Sequence, residues 1–231
     1  MPDRTQMYPQ RHPLAATTLL TSLLLATTPA VCTAITPATA GDLYLEGLAG
    51  VSDQGGPSDL GNLMSGYSSS WGIQGGLVVH QYLALEASYF NYGSVTFTDD
   101  NFFDFGDSEF SDDETSAVSL HPRVIGLGPA LTIAMSKRSS LILQAGLTHW
   151  RLTRADQQNI TSGTDGSTST TSQHHITHGF GNYYGLTLEG RISQHISALL
   201  QYRRVQISHT QYDPAGNSLG SMNIGIGWRF N

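Results

Sequence analysis

The chain has 231 residues, which accommodates one domain with a removable leader and is too short for a second sizeable core. Charged residues make up only 13% while 25 glycines and many Ser, Thr, Asn and Gln dilute the apolar ones, a mixture that suits neither a helical membrane protein nor a disordered chain. The formal net charge of -7 excludes nucleic-acid binding, which needs clustered Lys and Arg to displace counterions.

Residues 1–40 read as a signal peptide. Arg4 and Arg11 precede an apolar stretch from Leu14 to Ala26, and Ala38-Thr39-Ala40 supplies small residues for cleavage before Gly41. The uninterrupted apolar length falls short of the ~20 residues that a spanning helix needs. Cys32, the one cysteine, lies inside this leader, so the domain expected over 41–231 forms no disulfide. Lipid attachment at Cys32 is disfavoured by Val31, bulky where lipoprotein signals place a small residue.

Beyond Gly41 the pattern has period two. In a strand successive side chains point to opposite faces, and Leu43, Leu45, Gly47, Ala49 and Val51 fall on one face with Tyr44, Glu46 and Leu48 on the other. A second strand sets Trp71, Ile73, Leu77 and Val79 against Gly72, Gln74 and Gly76. A third sets Leu83, Leu85, Ala87 and Tyr89 against Glu86, Ser88 and Phe90. The fourth falls around Ser116 to Ile133, where Pro122 and Pro129 each remove a ladder donor; a bulge near Pro122 is expected to reset the facing. The fifth places Leu141, Leu143, Ala145 and Leu147 opposite Gln144 and Thr148, the sixth Tyr184, Leu186 and Leu188 opposite Tyr183, Thr187 and Glu189. A seventh sets Ile196, Ala198, Leu200 and Tyr202 against Gln201 and Arg203, and an eighth sets Met222, Ile224, Ile226, Trp228 and Phe230 against Asn223, Gly225, Gly227 and Arg229.

Long polar links, Ser52 to Ser68, Gly93 to Thr115, Thr153 to His178 and Ser208 to Asn217, alternate with tight ones near His80-Gln81, Ser136 to Ser139 and Ser193 to His195. An even strand count with short turns at one end and long loops at the other is the pattern of outer-membrane barrels. In a soluble barrel the apolar face should fill the interior, but here the other face carries Glu46, Glu86, Glu189, Arg203 and Arg229, whose burial needs mutual pairing. Membrane barrels invert the arrangement, with an apolar outer band and a polar interior. Trp71, Tyr89, Tyr184, Tyr202, Trp228 and Phe230 stand near strand ends on the apolar face, as an interfacial girdle requires. The fold expected is all-β: an eight-stranded antiparallel up-and-down transmembrane barrel.

These residues resemble the small eight-stranded OmpA-like and opacity-type outer-membrane barrels. The likeness covers roughly Gly41 to Asn231 and is sharpest in Leu83-Ala84-Leu85-Glu86-Ala87-Ser88-Tyr89, Leu200-Gln201-Tyr202-Arg203-Arg204 and Gly225-Ile226-Gly227-Trp228-Arg229-Phe230. The resemblance implies a bacterial outer-membrane location, with Ile224, Ile226, Trp228 and Phe230 as the signal read by the barrel assembly machinery. Asn231 follows Phe230, whereas the family usually ends on the aromatic. The larger members carry a peptidoglycan-binding domain after the barrel; no such cell-wall tether is expected here.

Eight strands leave room only for side chains or one small ligand, so Glu46, Glu86, Glu189, Arg203 and Arg229 are expected to form a paired polar plug, with a narrow ion path as the alternative. The second external link is acidic: Asp99, Asp100, Asp104, Asp107, Glu109, Asp112, Asp113 and Glu114, with no Lys or Arg among them. Such a run is a solvated, repelling loop or a calcium-binding one. Its spacing does not match an EF-hand, and the interleaved Phe97, Phe102, Phe103, Phe105 and Phe110 offer an apolar tip for a partner surface. His174, His175 and His178 lack the Cys or carboxylate that would complete a metal site, so no metal or cofactor is expected. Asn159-Ile160-Thr161 is an accidental glycosylation match in a bacterial chain. Arg151, Arg154 and Arg204, near the external strand ends, are candidates for contact with lipopolysaccharide phosphates.

An enzymatic alternative is the outer-membrane lipid A deacylases, whose late strands carry a His-x-Ser-Asn motif. Here the sequence reads Gln206-Ile207-Ser208-His209, with Gln where the base would stand, and a serine needs an adjacent base to become nucleophilic. Gly216-Asn217-Ser218-Leu219-Gly220 matches a nucleophile elbow by chance, since it opens an antiparallel strand. The expectation is therefore a protein with no catalytic residues, acting through its external loops in adhesion, surface protection or membrane integrity, with environmental or host surface ligands as partners.

Overall fold

The computed structural model describes residues 40–55, 65–104, 111–161, 167–207 and 218–230. The leader up to residue 39 with Cys32, the acidic residues Asp107 and Glu109, the Ser208-His209 pair and the Gly216-Asn217 start of the elbow match lie outside the described residues.

Nine antiparallel strands form one sheet: β1 (Leu43–Gly55), β2 (Ser65–His80), β3 (Leu83–Asn91), β4 (Val95–Asp104), β5 (Ser111–Ala134), β6 (Ser139–Thr161), β7 (Thr168–Arg191), β8 (Ile196–Ile207) and β9 (Ser218–Phe230). The order is β3-β2-β1-β9-β8-β7-β6-β5-β4, and an additional β3–β5 pairing, Leu83↔Leu131 to Asn91↔Arg123, closes the sheet on itself. Strands β3 and β4 occupy one position in succession against β5, so the wall has eight strand positions. No helix occurs among the described residues. Closure gives every wall strand a ladder partner on both sides, which hydrocarbon demands.

The strand faces follow the period-two reading. Leu85, Leu186 and Ile226 are 50%, 43% and 66% exposed on the outside, while Glu86 and Arg203 are 2% and 1% exposed in the lumen. The short turns lie at the Leu43 and Phe230 end. Two use the same device: Ser136 Oγ accepts from the Ser139 amide (3.0 Å), and Ser193 Oγ accepts from the Ile196 amide (3.0 Å), each a hydroxyl standing in for a backbone acceptor.

Two expectations are corrected. The bulge lies across from Pro122, in the segment Tyr92–Ser94 between β3 and β4, and not in β5 itself. Along β5 the buried positions stay even-numbered past Pro122, and its register with β6 does not shift. In the neighbour, burial switches from Phe90 and Tyr92 to Val95 and Phe97, an even-to-odd reset. The Tyr92 amide donates to the Pro122 carbonyl at 3.1 Å. A strand residue turns its N–H and C=O to the same neighbour, so the donor that proline lacks would face the bulge, where the ladder is already interrupted. Gly93 makes the turn with φ of 75°, and Cβ at this position would overlap the Ser68 hydroxyl and the Ser69 carbonyl.

The links Gly93 to Thr115 and Thr153 to His178, expected to be loops, are not. Most of each is strand: β4 pairs with β5 out to Asp104↔Ser111, and β6 with β7 out to Thr161↔Thr168. Strands β5, β6 and β7 are 24, 23 and 24 residues long, against the ~9–11 residues that cross a membrane. Their surplus, with β4, continues the wall as a four-stranded sheet at the long-loop end.

Candidate functional sites in the lumen and at the external rim

At the short-turn end the lumen is mainly polar, beside a small buried apolar patch of Ala84, Ala130 and Ile142. The Tyr44 hydroxyl donates to Glu86 Oε1, and Gln144 Nε2 donates to Glu86 Oε2 at 2.7 Å. Gln201 Nε2 reaches Gln74 Oε1 and Gln144 Oε1, both at 3.1 Å, and Gln74 Nε2 donates to Glu46 Oε2. The result is one chain of amides and carboxylates from Glu86 to Glu46. Glu189 belongs to a second group: Ser140 Oγ and Ser197 Oγ donate to it at 2.5 and 2.7 Å, and Arg229 Nη2 and Arg191 Nε stand at 3.6 and 3.8 Å.

The plug is therefore paired differently from the expectation. Only Glu189 and Arg229 meet as an ion pair; Arg191, unflagged in the sequence reading, is their third member. Arg203 forms no ion pair with Glu86. Its guanidinium carbon sits 3.9 Å from the Tyr183 ring centre and 4.5 Å from that of Phe90, while Nη2 donates to Ser88 Oγ at 2.9 Å. Hydrogen-bonded amides take the carboxylates and aromatic faces take the cation, so the charges are met without direct contact.

Above Arg203 the interior turns apolar, which the sequence reading did not anticipate. Phe90, Tyr92, Val124, Trp150, Tyr183, Val205, Ile207 and Leu219 form one buried cluster, with Phe90, Tyr92 and Val205 at 0% exposure, and Leu48 and Leu199 continue it past Arg203 toward the short-turn end. Leu152 joins it to a second cluster of Val95, Phe97, Val118 and Leu120 on the inner face of the β4–β5 extension. Parity alone carried the signal: Trp150 lies on the same side of β6 as Gln144 and Thr148.

The acidic residues divide between two paired strands. Asp99, Asp100 and Asp104 belong to β4, and Asp112, Asp113 and Glu114 to β5, with Asn101↔Glu114 and Phe102↔Asp113 in register. His174 and His178 lie on the exposed face of β7 and His175 on the other. No group of three or more His, Cys, Asp or Glu able to hold a metal occurs among the described residues.

On the outside, Arg151 and Arg204 are exposed on the lipid-directed face. Arg154 is not: it stands on the opposite face of β6, its Nε 2.7 Å from Asp156 Oδ1. Three residues along a strand reverse the side, so Arg151 and Arg154 cannot share one ligand. Arg123 of β5, overlooked in the sequence, pairs directly with Arg151 in the ladder and faces outward with it. The outward row Ile224, Ile226, Trp228 and Phe230 of β9 is exposed throughout.

A family model described as "Outer membrane protein beta-barrel domain" matches residues 17–230. The chain belongs to this outer-membrane β-barrel family. It is accordingly a bacterial outer-membrane protein, and the apolar band over Leu85, Leu186 and Ile226 is its lipid face. Similar solved structures include Ail, the attachment invasion locus protein of Yersinia pestis, at 12% identity, covering 83% of this chain and 100% of that one with a TM-score of 0.45. The N-terminal β-barrel domain of Pseudomonas aeruginosa OprF shares 14% identity over 82% of this chain and 98% of that one, with a TM-score of 0.46. Neisserial surface protein A shares 15% identity over 82% and 99%, with a TM-score of 0.45. No curated protein matches the sequence.

Proposed function

We propose that this outer-membrane barrel is a non-enzymatic surface-interaction protein: the wall anchors the chain and the four-stranded extension of β4 to β7 presents a binding surface outside the membrane. The observation that carries the reading is strand length. The extension residues of β5, β6 and β7 exceed what the bilayer requires, and they are ladder-paired. Rigid backbone held beyond the membrane costs conformational entropy, and a contact surface is a use for it. A narrow channel is disfavoured by the apolar cluster of Phe90, Tyr92 and Trp150 across the external half of the lumen. A deacylase is disfavoured by Gln206, an exposed amide with no capacity to accept a proton from serine.

In the same reading, residues 1–40 direct export and the β9 row ending at Phe230 engages the assembly machinery. The test is to shorten both projecting hairpins, joining Val95 to Leu120 and Thr153 to Ile176 with two-residue turns. Outer-membrane insertion and the mobility difference between heated and unheated samples should persist, while adherence of cells expressing the protein to extracellular-matrix-coated surfaces should fall to background. Adherence unchanged by both truncations would contradict the proposal.

A further inference from the structure

The ladder places Arg123 of β5, Arg151 of β6 and His178 of β7 side by side in one row, through the pairs Arg123↔Arg151 and Arg151↔His178. All three face outward and are exposed. Directly opposed cross-strand residues have Cβ atoms roughly 5 Å apart, and like charges so placed are destabilising. The usual remedy, a neighbouring carboxylate, is missing. No Asp or Glu stands on the outward side of β5 from Ser119 to Ile133, of β6 from Ser139 to Ala155, or of β7 from His174 to Gly190. Among the described residues neither Arg123 nor Arg151 has an ion-pair partner.

The height of the row follows from what lies beneath it. On β5 the outward side is apolar from Ile133 through Leu131, Leu127 and Ile125 and ends at Arg123; on β6 it is apolar from Leu141 to Leu147 before His149 and Arg151. The β5 run from Ile133 to Ile125, and the β6 run from Leu141 taken through His149, each match the ~9–11 residues that cross a bilayer. Immediately below this row, His149 packs edge-on to Phe180 with ring centres 5.3 Å apart, as expected of aromatic residues at the level where acyl chains meet headgroups. The unpaired charges therefore sit in the headgroup layer of the outer leaflet.

We propose that Arg123, Arg151 and His178 form a binding site for the phosphate of an outer-leaflet glycolipid headgroup, with the Phe180 and His149 rings beneath it against the sugar and the upper acyl chain. Two guanidiniums supply planar pairs of donors that match phosphate oxygens, and the anion removes the repulsion between them. Arg204, the one arginine on the outward side of β8, donates to Ser218 Oγ at 2.9 Å and is not part of the site.

The test uses the refolded full chain in phosphatidylcholine vesicles doped with lipid A, with retained lipid A quantified after detergent extraction and affinity capture. Wild type should retain lipid A, and R123Q/R151Q should bind it roughly tenfold or more weakly while keeping the mobility shift of a folded barrel. R123K/R151K, which keeps charge but loses the fork, should fall between, and R204Q should match wild type. Enzymatically dephosphorylated lipid A should not be retained, and millimolar inorganic phosphate should not displace the intact lipid. Equal retention by R123Q/R151Q, an equal loss in R204Q, retention of the dephosphorylated lipid, or displacement by inorganic phosphate would each overturn the proposal, the last by assigning the row to free anions.

Discussion

Arg203 lies 3.9 Å from the centre of the Tyr183 ring, at a residue exposure of 1%, and no carboxylate among the described residues stands at ion-pair distance from it. Its charge is held by two aromatic faces and a serine hydroxyl at the boundary between the polar and apolar halves of the lumen. Arg203→Ala should therefore lower unfolding free energy by about 2–4 kcal/mol through lost packing and lost cation–π attraction. Arg203→Lys should recover less than half of that, because an ammonium cannot stack as a plane. Urea unfolding in lipid vesicles, read by the fraction migrating as folded barrel, measures both; equal stability of the Lys variant and wild type would show that charge alone is required.

Glu189 and Arg229 form the ion pair that joins β7 to β9 across β8 at the short-turn end. In a double-mutant cycle, E189Q and R229Q should each destabilise the barrel and couple by about 0.5–2 kcal/mol. Additive losses would mean that Ser140, Ser197 and Arg191 satisfy Glu189 without Arg229.

Gly93 combines a left-handed φ of 75° with close approach to Ser68 and Ser69 of β2. Gly93→Ala should cost about 1–3 kcal/mol and reduce the yield of refolded barrel, whereas Gly47→Ala, where added Cβ meets nothing within 4 Å, should be close to neutral. Comparable refolding of the two variants would argue against a strained bulge.

The apolar cluster predicts electrical silence. In planar bilayers the wild-type chain should show no stepwise conductance, and simultaneous F90A, Y92A and W150A substitutions should open small steps by removing three buried rings. Steps from the wild type would place an ion path through the barrel.

The wall was legible in the sequence because one face meets lipid and the other meets a filled lumen, so Leu85 beside Glu86 and Tyr202 beside Arg203 could alternate in only one way. The extension was not. Over Gln157–Thr161 of β6 and Thr168–Gln173 of β7 both faces are open to water, the alternation fades, and a paired strand carries the same Ser, Thr and Gln composition as a loop. The candidate sites show a different limit. Period-two reading assigns a side but neither a height nor a partner, so Arg203 was placed correctly in the lumen yet matched to carboxylates it does not touch. The same rule did hold the information that Arg154 opposes Arg151, and that Arg123 lies outward beside Ile125.

The most direct test is a cysteine scan of β3 and β8 in residues 41–231, which carry no native cysteine. Spin labels placed at consecutive positions from Ala84 to Tyr89 and from Leu200 to Arg204 would be read in bilayers for collision with oxygen. High accessibility at Leu85, Ala87, Leu200, Tyr202 and Arg204, with low values at Glu86, Ser88, Gln201 and Arg203, is the expected result. Accessibility that does not alternate, or alternates with Glu86 and Arg203 high, would contradict the assignment of the apolar face to lipid.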